Sequence, residues 1–434
     1  MSRRLSTPAV LLLVALVSLS LPALGNGPLP KVAPESQGFS SDRLERVREV
    51  AERYVEEGKV AGLITMVARR GEVVQFEAVG TRGVGDDRPL TKDALFRIYS
   101  MTKPITAAAA MQLYERGLFH LNDPVSKFVP EFDELEVLLE DGTRVPAERQ
   151  MTMQHLLTHT AGFSYGFNPQ GDPVDAEYAK AQLWAAEDLD DLAAKVAKLP
   201  LKFEPGDRWH YSIAVDITGL VVERLSGQPF DEYLKQHIFD PLGMNDTFFE
   251  VPQEKLDRFL PNHYIDPQSG EMKQIPAGGT DAMTNYEKVS LYSGGGGLVS
   301  TTSDYMRFAE AMRNGGRLGD ARILSPKTIE YMTANHLPAS ISSGGSGEAP
   351  ALGGELRGFG FGLGFGLVTD PAAGGVIGSA GEYNWGGAAG TVFWIDPVEE
   401  LVVVGMIQLM GSPHPLRGDL KVATYQALDE TLSE

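Results

Sequence analysis

One short motif in the sequence combines a hydroxyl and an amine at a spacing that suits acyl transfer. Ser100 and Lys103 form the chain's only Ser-x-x-Lys, and they precede an alanine-rich run, Ile105 to Leu113, that predicts a buried helix. Residues three apart share one face of a helix, so the amine can lie beside the hydroxyl. A hydroxyl activated by a base can attack a carbonyl carbon and carry the acyl group. The motif alone is weak, because ordinary composition produces about one such pair per chain by chance.

The residues around Ser100 suit a nucleophile at the start of a helix. Phe96 to Ile98 is short and extended, and Pro104 falls in the first helical turn, where a missing N–H costs little. A serine there lies near the positive end of the helix, and its own N–H is free to donate to a substrate oxygen. The helix is apolar on nearly every side after Lys103, so we expect Lys103 to be buried and to have a role. The alternative is an N-cap serine with a surface lysine.

A second serine lies in a motif that also suits a nucleophile. The segment Gly162 to Gly166 matches Gly-x-Ser-x-Gly, which carries a nucleophile when a strand precedes the serine and a helix follows it. Here the preceding residues, Met153 to His159, predict a helical turn, and the run from Asn168 to Pro173 breaks any helix that would follow. We therefore interpret Ser164 as part of a loop in a pocket wall.

A serine hydroxyl needs a base, and a lysine with the ordinary pKa of about 10.4 is almost always protonated at neutral pH. A buried tyrosine that shares the proton would help, because phenolate and ammonium stabilise each other and titrate as a pair. The candidate is Tyr211, which lies in a short extended segment before a helical pattern that starts near Val215. On spacing alone Tyr211 is one of 14 tyrosines, and packing in the core is its alternative role.

Two histidines have a spacing that occurs in metal sites. His155 and His159 stand four residues apart on the predicted helical turn, as in the zinc-protease motif. Leu156 occupies the position at which that motif needs a glutamate, so we predict no metal site and interpret both histidines as packing or hydrogen-bonding residues.

Both ends of the chain carry the elements of a sheet with helices packed on it. Near each end, two β-rich runs lie beside an amphipathic helical pattern, and Arg70-Gly71 predicts a hairpin turn between the first two strands. We expect all four strands to join one sheet. In chain order, these segments are 41–58, 63–68, 73–76, 391–395, 401–408 and 420–428.

The middle of the chain is rich in helical patterns separated by proline and glycine. It predicts a mainly helical lobe, 98–297, inserted into a sheet lobe formed by 26–97 and 298–434, with the candidate site in the cleft between them. Gly294 to Gly297 and Ser340 to Gly354 are predicted to be flexible loops. The helical candidates are 188–199, 215–225, 229–239 and 305–314.

The N-terminus has the layout of a secretory signal peptide. Arg3 and Arg4 precede an apolar run and small residues that end at Gly25, so we predict cleavage after Gly25 and a secreted or periplasmic protein; an uncleaved anchor is the alternative. The remaining 409 of 434 residues contain no run long enough to span a membrane, and the chain has no cysteine for a disulfide or a lipid. Removing the two arginines changes the net charge from −20 to −22, which disfavours nucleic acid.

Several motifs occur in the order found in one large family. Ser100 to Lys103 is followed by Tyr211-Ser212-Ile213 and by Trp385-Gly386-Gly387, and the chain resembles the serine β-lactamase and penicillin-binding protein family from about Leu44 to Leu428. Within that family it most resembles the class C β-lactamase-like carboxylesterases, or family VIII esterases. Further landmarks are the segments Leu156 to Gly162, Phe203 to Gly206, Pro241 to Met244 and Gly297 to Thr301.

The resemblance implies a fold and a set of site residues. The implied fold is α+β and β-lactamase/transpeptidase-like, with an antiparallel sheet flanked by helices and an inserted, mainly helical lobe. Ser100 would be the nucleophile, Lys103 and Tyr211 the base pair, and the N–H groups of Ser100 and Ala388 the oxyanion hole, in which each donor is typically worth about 3 kcal/mol. The strand that binds substrate would end in Trp385, Gly386 and Gly387.

Two departures from the penicillin-recognising pattern bear on the substrate. The segment after Tyr211 lacks the family's asparagine, and Trp385 replaces the lysine that would meet a substrate carboxylate. An indole in place of a cation removes a charge-assisted contact and adds an apolar wall. We therefore expect a neutral ester to be preferred to an anionic lactam or peptide. Phe163, Tyr165, Phe167 and Trp385 predict an aromatic rim of the acyl pocket; for the first three, packing in the core is the alternative.

The sequence as a whole predicts a secreted serine hydrolase, a carboxylesterase that cleaves short-chain esters through an acyl-enzyme on Ser100. We expect no metal and no cofactor, and the expected partner is a small-molecule ester rather than nucleic acid or a membrane. The alternatives are a β-lactamase or D-amino-acid peptidase or amidase, an acyltransferase, and a non-catalytic cell-wall binding module. The sequence does not indicate the oligomeric state.

Overall fold

The computed structural model describes residues 27–276, 286–342 and 357–432, so the predicted signal peptide lies outside the described residues. The strands are β1 (Gly62–Arg69), β2 (Glu72–Gly83), β3 (Asp86–Pro89), β4 (Phe96–Arg97), β5 (Glu136–Leu138), β6 (Arg144–Pro146), β7 (His263–Ile265), β8 (Met272–Gln274), β9 (Val299–Ser300), β10 (Arg317–Leu318), β11 (Ala321–Arg322), β12 (Phe359–Phe361), β13 (Gly366–Val368), β14 (Tyr383–Gly386), β15 (Val392–Asp396) and β16 (Leu401–Met406).

The α-helices vary from single turns to four turns. They are α1 (Ser41–Glu56), α2 (Thr102–Glu115), α3 (Met153–Leu157), α4 (Pro173–Lys180), α5 (Leu189–Val196), α6 (Ala214–Ser226), α7 (Phe230–Leu234), α8 (Asp240–Leu242), α9 (Thr302–Arg313), α10 (Pro326–Met332), α11 (Ala339–Ser342), α12 (Pro371–Gly374) and α13 (Leu416–Tyr425).

The central sheet joins the two ends of the chain, as the sequence predicts. Among the described residues it has eight strands in the order β12-β13-β14-β15-β16-β1-β2-β3, and the pairs are antiparallel. In the central pair Ile64 lies opposite Met406. The hairpin at Arg70-Gly71 is confirmed: both residues have positive φ, 55° and 81°, as a tight turn between twisted strands requires.

Alternating side chains give the sheet a core on each face. Leu63 and Val67 of β1 pack with α1 and α13, whereas Ile64 and Met66 point to the other face and join the larger core that contains α2 and α6. Helix α1 starts at Ser41 because the Ser40 side chain accepts a hydrogen bond from the Arg43 N–H. The predicted α+β fold with an antiparallel sheet flanked by helices is therefore observed.

The predicted helices of the middle region are confirmed, with shifted ends. They are α5, α6, α7 followed by a π-helical turn over Lys235–Phe239, and α9. Helix α9 packs on β1 and β16 of the sheet. The larger core continues without interruption from the sheet into the middle helices, so the division at residues 97 and 297 stays a prediction.

One loop prediction is wrong and another is mostly untested. Gly294 to Gly297 is a buried turn in which the Gly297 N–H donates to the Ser293 carbonyl, so it is not a flexible loop. A run of glycines is flexible only when nothing packs against it. Here the neighbouring backbone packs so closely that an added Cβ at Gly294 would lie 2.8 Å from the Val215 carbonyl oxygen. Of the predicted loop 340–354, residues 343–354 lie outside the described residues.

Within the three described ranges, no helix combines the length and the apolar character that crossing a bilayer requires.

Candidate active site

Ser100 is held on a sharp turn between a strand and a helix. Strand β4 pairs with β9, a 3₁₀ turn over Tyr99–Met101 follows, and α2 begins at Thr102. Ser100 thus lies one residue before the N-cap of α2 and not in the first helical turn that the sequence predicts. The reason is Tyr99, whose φ of 42° lies in the left-handed region. Such a conformation costs a non-glycine residue about 1–3 kcal/mol.

The predicted base residues meet at the Ser100 hydroxyl. Tyr211 Oη lies 2.6 Å from Ser100 Oγ, and Lys103 Nζ lies 3.3 Å from the same atom. Lys103 lies in the first turn of α2, three residues after Ser100, while Tyr211 comes from the segment just before α6. Both groups that the sequence predicts as the base pair are therefore within hydrogen-bond distance of the Ser100 hydroxyl.

Lys103 is buried, as its apolar helix predicts, and it has a second hydrogen-bond partner. Only 1% of its surface is exposed, and its ammonium donates to the Gly295 carbonyl at 2.7 Å. Its Nζ also lies 4.5 Å from the ring centroid of Tyr211 and 5.1 Å from that of Tyr165. The turn that carries Gly295 and two aromatic faces thus fix the position of the amine beside Ser100.

A buried carboxylate, Asp216, stands behind this group and was missed by the sequence analysis. It accepts hydrogen bonds from the Gly295 N–H at 3.0 Å, from the Ser293 hydroxyl, and from the Tyr165 hydroxyl at 3.3 Å. Burial raises the pKa of Asp216, and the positive charge of Lys103 opposes that rise. Asp216 therefore links the turn that holds Lys103 to the aromatic wall. An acidic residue in the apolar start of α6 was the available signal.

Two backbone N–H groups next to Ser100 are free to donate. In the part of the chain that the structure describes, neither the Ser100 N–H nor the Ala388 N–H has an acceptor, and both residues line both cavities beside the hydroxyl. The end of β14 approaches so closely that a Cβ on Gly387 would lie 2.4 Å from the Ile98 carbonyl oxygen. Only glycine permits this approach, which brings Ala388 to Ser100.

The first cavity beside Ser100 has a volume of about 440 Å³ and is largely aromatic. Phe167, 74% exposed, stacks on Tyr165 with ring centroids 5.0 Å apart, and Trp184 also stacks on Tyr165, at 5.9 Å. The sequence predicts Tyr165 and Phe167 at the rim but not Trp184, which comes from a 3₁₀ turn distant in the chain. Polar groups enter this cavity from Arg97, Asn262 and Gln274.

The second cavity, about 500 Å³, lies along the end of β14. Trp385, Gly386 and Gly387 line it, as the sequence predicts, and the Trp385 ring lies 5.5 Å from that of Tyr211. A cation is nevertheless present: Arg417 of α13 also lines this cavity, and a Cβ on Gly386 would lie 2.8 Å from its Nη2. Replacement of the family's lysine by Trp385 therefore does not leave this side of the site without positive charge.

Two of the candidate pocket residues have other surroundings. Phe163 is fully buried and packs on Phe132 at 5.4 Å, so its predicted place in the aromatic rim is wrong; its neighbours are core side chains. The Ser164 hydroxyl donates to Asp175 at 2.5 Å and lines neither cavity at Ser100. Helix α3 precedes Ser164 where a nucleophile motif would need a strand.

The two histidines have separate local roles. His155 forms a capping box at the start of α3, in which its Nδ1 accepts from the Thr152 N–H at 3.2 Å. His159 is fully buried and lies 4.8 Å from the Tyr211 ring; burial lowers its pKa well below 6.5, and the charge of Lys103 adds to this effect. Neutral His159 therefore packs behind Tyr211. In the described ranges no group of three potential metal ligands is present.

This arrangement can be compared with known proteins. The model of the family described as Beta-lactamase matches residues 47–427. The chain belongs to the β-lactamase family. One relative is Esterase EstB from Burkholderia gladioli. It is 31% identical to this chain over 396 residues, which cover 88% of this chain and 94% of EstB.

Solved structures agree with the assignment of this chain to the β-lactamase family. EstCE1, described as a hydrolase with promiscuous acyltransferase activity, superposes with a TM-score of 0.73 at 26% identity over 88% of this chain and 99% of its own. A family VIII carboxylesterase has a TM-score of 0.67 at 21% identity over 90% and 99% of the two chains, which shows the fold alone. The predicted resemblance and β-lactamase/transpeptidase-like fold are confirmed, and the family of serine hydrolases includes esterases.

Proposed function

We propose that the protein is an exported carboxylesterase that cleaves short-chain esters through an acyl-enzyme on Ser100. The observation that carries the proposal is the position of the Ser100 hydroxyl, 2.6 Å from Tyr211 Oη and 3.3 Å from Lys103 Nζ, between two cavities. The relationship to Esterase EstB supports ester hydrolysis. Two cavities that meet at one nucleophile suit the two halves of an ester.

In the acylation step, Ser100 Oγ forms a bond to the ester carbonyl carbon while its proton passes to Tyr211, whose phenolate form is stabilised by the ammonium of Lys103. The N–H groups of Ser100 and Ala388 donate to the carbonyl oxygen as it becomes negative, at about 3 kcal/mol for each donor. The carbon–oxygen bond to the alcohol then breaks, and the alcohol leaves with the proton that Tyr211 held.

In the deacylation step, the same groups act on water. A water molecule enters where the alcohol left, gives a proton to Tyr211 and attacks the acyl carbon. The bond to Ser100 Oγ breaks, and the proton returns to the serine, so the enzyme is regenerated and a carboxylic acid is released. Each step uses only side chains and N–H groups that meet at Ser100.

The matched pair Ser100→Ala and Ser164→Ala tests the nucleophile. On 4-nitrophenyl butyrate we expect Ser100→Ala to lose turnover by at least about a thousandfold, since nucleophile and base act as a unit. Ser164→Ala should retain turnover, because that hydroxyl bonds Asp175 outside both cavities. Intact mass after fluorophosphonate labelling should show one adduct, on Ser100. Retained turnover in Ser100→Ala would refute the proposal.

Acyl transfer to an alcohol is the second candidate function. It is favoured by the similarity to EstCE1, whose description includes promiscuous acyltransferase activity, and by the second cavity, which could hold an alcohol beside the acyl-enzyme. Hydrolysis of a vinyl ester in the presence of increasing n-butanol, followed by gas chromatography, distinguishes the two. A butyl ester in excess of the free acid at alcohol concentrations well below that of water would make transfer the main activity.

Lactam and D-peptide cleavage are the remaining alternatives within the family. Because Trp385 and Ile213 replace a lysine and an asparagine of the penicillin-recognising pattern, we expect kcat/KM on nitrocefin and on D-alanyl anilides to be far below that on butyrate esters. The ratio of the kcat/KM values is the quantity to compare. A ratio near one would contradict the assignment as an esterase.

A further inference from the structure

A half-buried cation, Arg97, lines the first, aromatic cavity and has no carboxylate counter-ion among the described residues. The guanidinium of Arg97 uses one N–H to donate to the Leu260 carbonyl at 2.6 Å, and it stacks on the rings of Phe259 and Tyr286 at 4.0 and 5.1 Å. Within the described ranges no carboxylate pairs with it, and burial lowers the pKa of Arg97. Charges that are partly removed from water are normally paired, because an uncompensated charge is costly to desolvate.

The unused donors of Arg97 remain accessible. In the described part of the chain, the Leu260 carbonyl is the one acceptor that its side chain contacts. The nitrogens that have no partner are still reached by solvent. Because Arg97 lines the first cavity together with Ser100, its free N–H groups can meet a molecule bound there. Arg417, in the second cavity, differs: its Nε is sealed and has no partner. Arg97 is thus the better-placed cation for a ligand.

We propose that the aromatic cavity binds the half of the ester that carries a carboxylate, and that Arg97 pairs with this carboxylate while the scissile carbonyl lies at Ser100. The rings of Tyr165, Phe167 and Trp184 would cover the apolar carbons between the two groups. A guanidinium can donate two parallel hydrogen bonds to a carboxylate, and such pairs are stronger than neutral ones. The inference rests on the proposed esterase function and specifies its substrates as monoesters of diacids or esters of hydroxy acids.

Two pairs of probes distinguish which half carries the charge. Mono-4-nitrophenyl glutarate and its methyl ester place the carboxylate, or its neutral form, on the acyl side; 4-acetoxybenzoate and its methyl ester place it on the alcohol side. For one pair we expect kcat/KM of the acid to exceed that of the neutral partner about ten- to hundredfold, the size of one charge-assisted contact. The preference should fall as salt screens the charges.

The variants Arg97→Gln and Arg417→Gln assign the preference to one arginine. Arg97→Gln should reduce the acid-to-neutral ratio to near one, and Arg417→Gln should leave that ratio as in the wild type. Arg97→Lys, which keeps a cation, should retain part of it. The inference is overturned if neither acid is preferred by the wild type, or if Arg417→Gln removes the preference instead. Because the wild-type comparison needs no variant, misfolding of Arg97→Gln does not prevent a decision; failure on every ester would instead refute the esterase function.

Discussion

The buried carboxylate of Asp216 offers the most informative single perturbation of the site. Its carboxylate accepts hydrogen bonds from three donors. One of them is the N–H of Gly295, the residue whose carbonyl accepts a hydrogen bond from Lys103. We predict that Asp216→Asn, which keeps the size and removes the charge, reduces kcat on 4-nitrophenyl butyrate about ten- to hundredfold, equivalent to about 1.4–2.7 kcal/mol in the activation free energy. The cause would be a displaced Lys103 amine, since Asp216 itself does not contact Ser100.

The expected loss of stability follows from the same contacts. Hydrogen bonds to a charged group are worth about 1.5–3 kcal/mol and neutral ones about 0.5–1.5 kcal/mol, so three contacts lose about 3 kcal/mol together. A domain with a free energy of unfolding of about 5–15 kcal/mol should still fold. The control is Asp175→Asn, because Asp175 is equally buried and also accepts from three donors, Ser164, Asn168 and Lys202, away from both cavities.

The pH profile separates positioning of the amine from simple destabilisation. Burial raises the pKa of Asp216, so in the wild type the carboxyl gains a proton at a higher pH than an ordinary aspartate and activity should decline on that acidic side. Asp216→Asn cannot gain this proton and should lack that part of the decline, whereas Asp175→Asn should keep it. Equal loss of kcat in both variants, or a wild-type kcat and profile in Asp216→Asn, would refute the reasoning.

The remaining predictions concern the cavity, the strand end and acid stability. Phe167→Ala should raise KM for butyrate esters about three- to tenfold and leave Tm nearly unchanged, because the ring lines both cavities but is 74% exposed; steady-state kinetics and thermal unfolding measure both. Gly387→Ala should reduce kcat at least about tenfold, since its Cβ would lie 2.4 Å from the Ile98 carbonyl and push Ala388 away from Ser100. Burial, with the charge of Arg149, lowers the pKa of His155 from 6.5 to about 4, so the unfolded chain binds more protons and Tm should fall as the pH decreases through that interval. In His155→Gln the Tm should fall less steeply as the pH decreases, because the unfolded variant binds one proton fewer. An unchanged slope of Tm against pH would contradict this.

The sequence predicted the groups that meet at the Ser100 hydroxyl better than the groups that hold them in place. Ser100, Lys103 and Tyr211 converge as expected: the three-residue spacing brings Lys103 beside Ser100 even though Ser100 lies in the 3₁₀ turn before α2, and the family order supplies Tyr211. Asp216 was missed because its partners, Gly295 and the residues around it, are about 80 positions away, and no local pattern reports such a contact.

Two wrong predictions have the same physical origin. The run Gly294 to Gly297 predicts flexibility by composition, yet the absence of side chains lets it pack against α6 and Lys103. Phe163, grouped with the nearby aromatic residues Tyr165 and Phe167, predicts a pocket rim, yet it is buried in the core. In each segment, tertiary packing decided whether small or aromatic residues face solvent, substrate or protein, and that packing is formed by residues distant in sequence.

The backbone of Tyr99 already has its left-handed conformation in the folded protein, so this conformation does not have to form during turnover. Its ring is 5% exposed and its hydroxyl accepts a hydrogen bond from Asn262 at 2.8 Å, so the side chain prevents the peptide next to Ser100 from relaxing. The strain is therefore introduced once, when the chain folds, and not again in each catalytic cycle. In the proposed acyl-enzyme, Ser100 should therefore keep the backbone geometry that it has in the free protein, so that reorganisation contributes little to the barrier and solvent and substrate are the components that move.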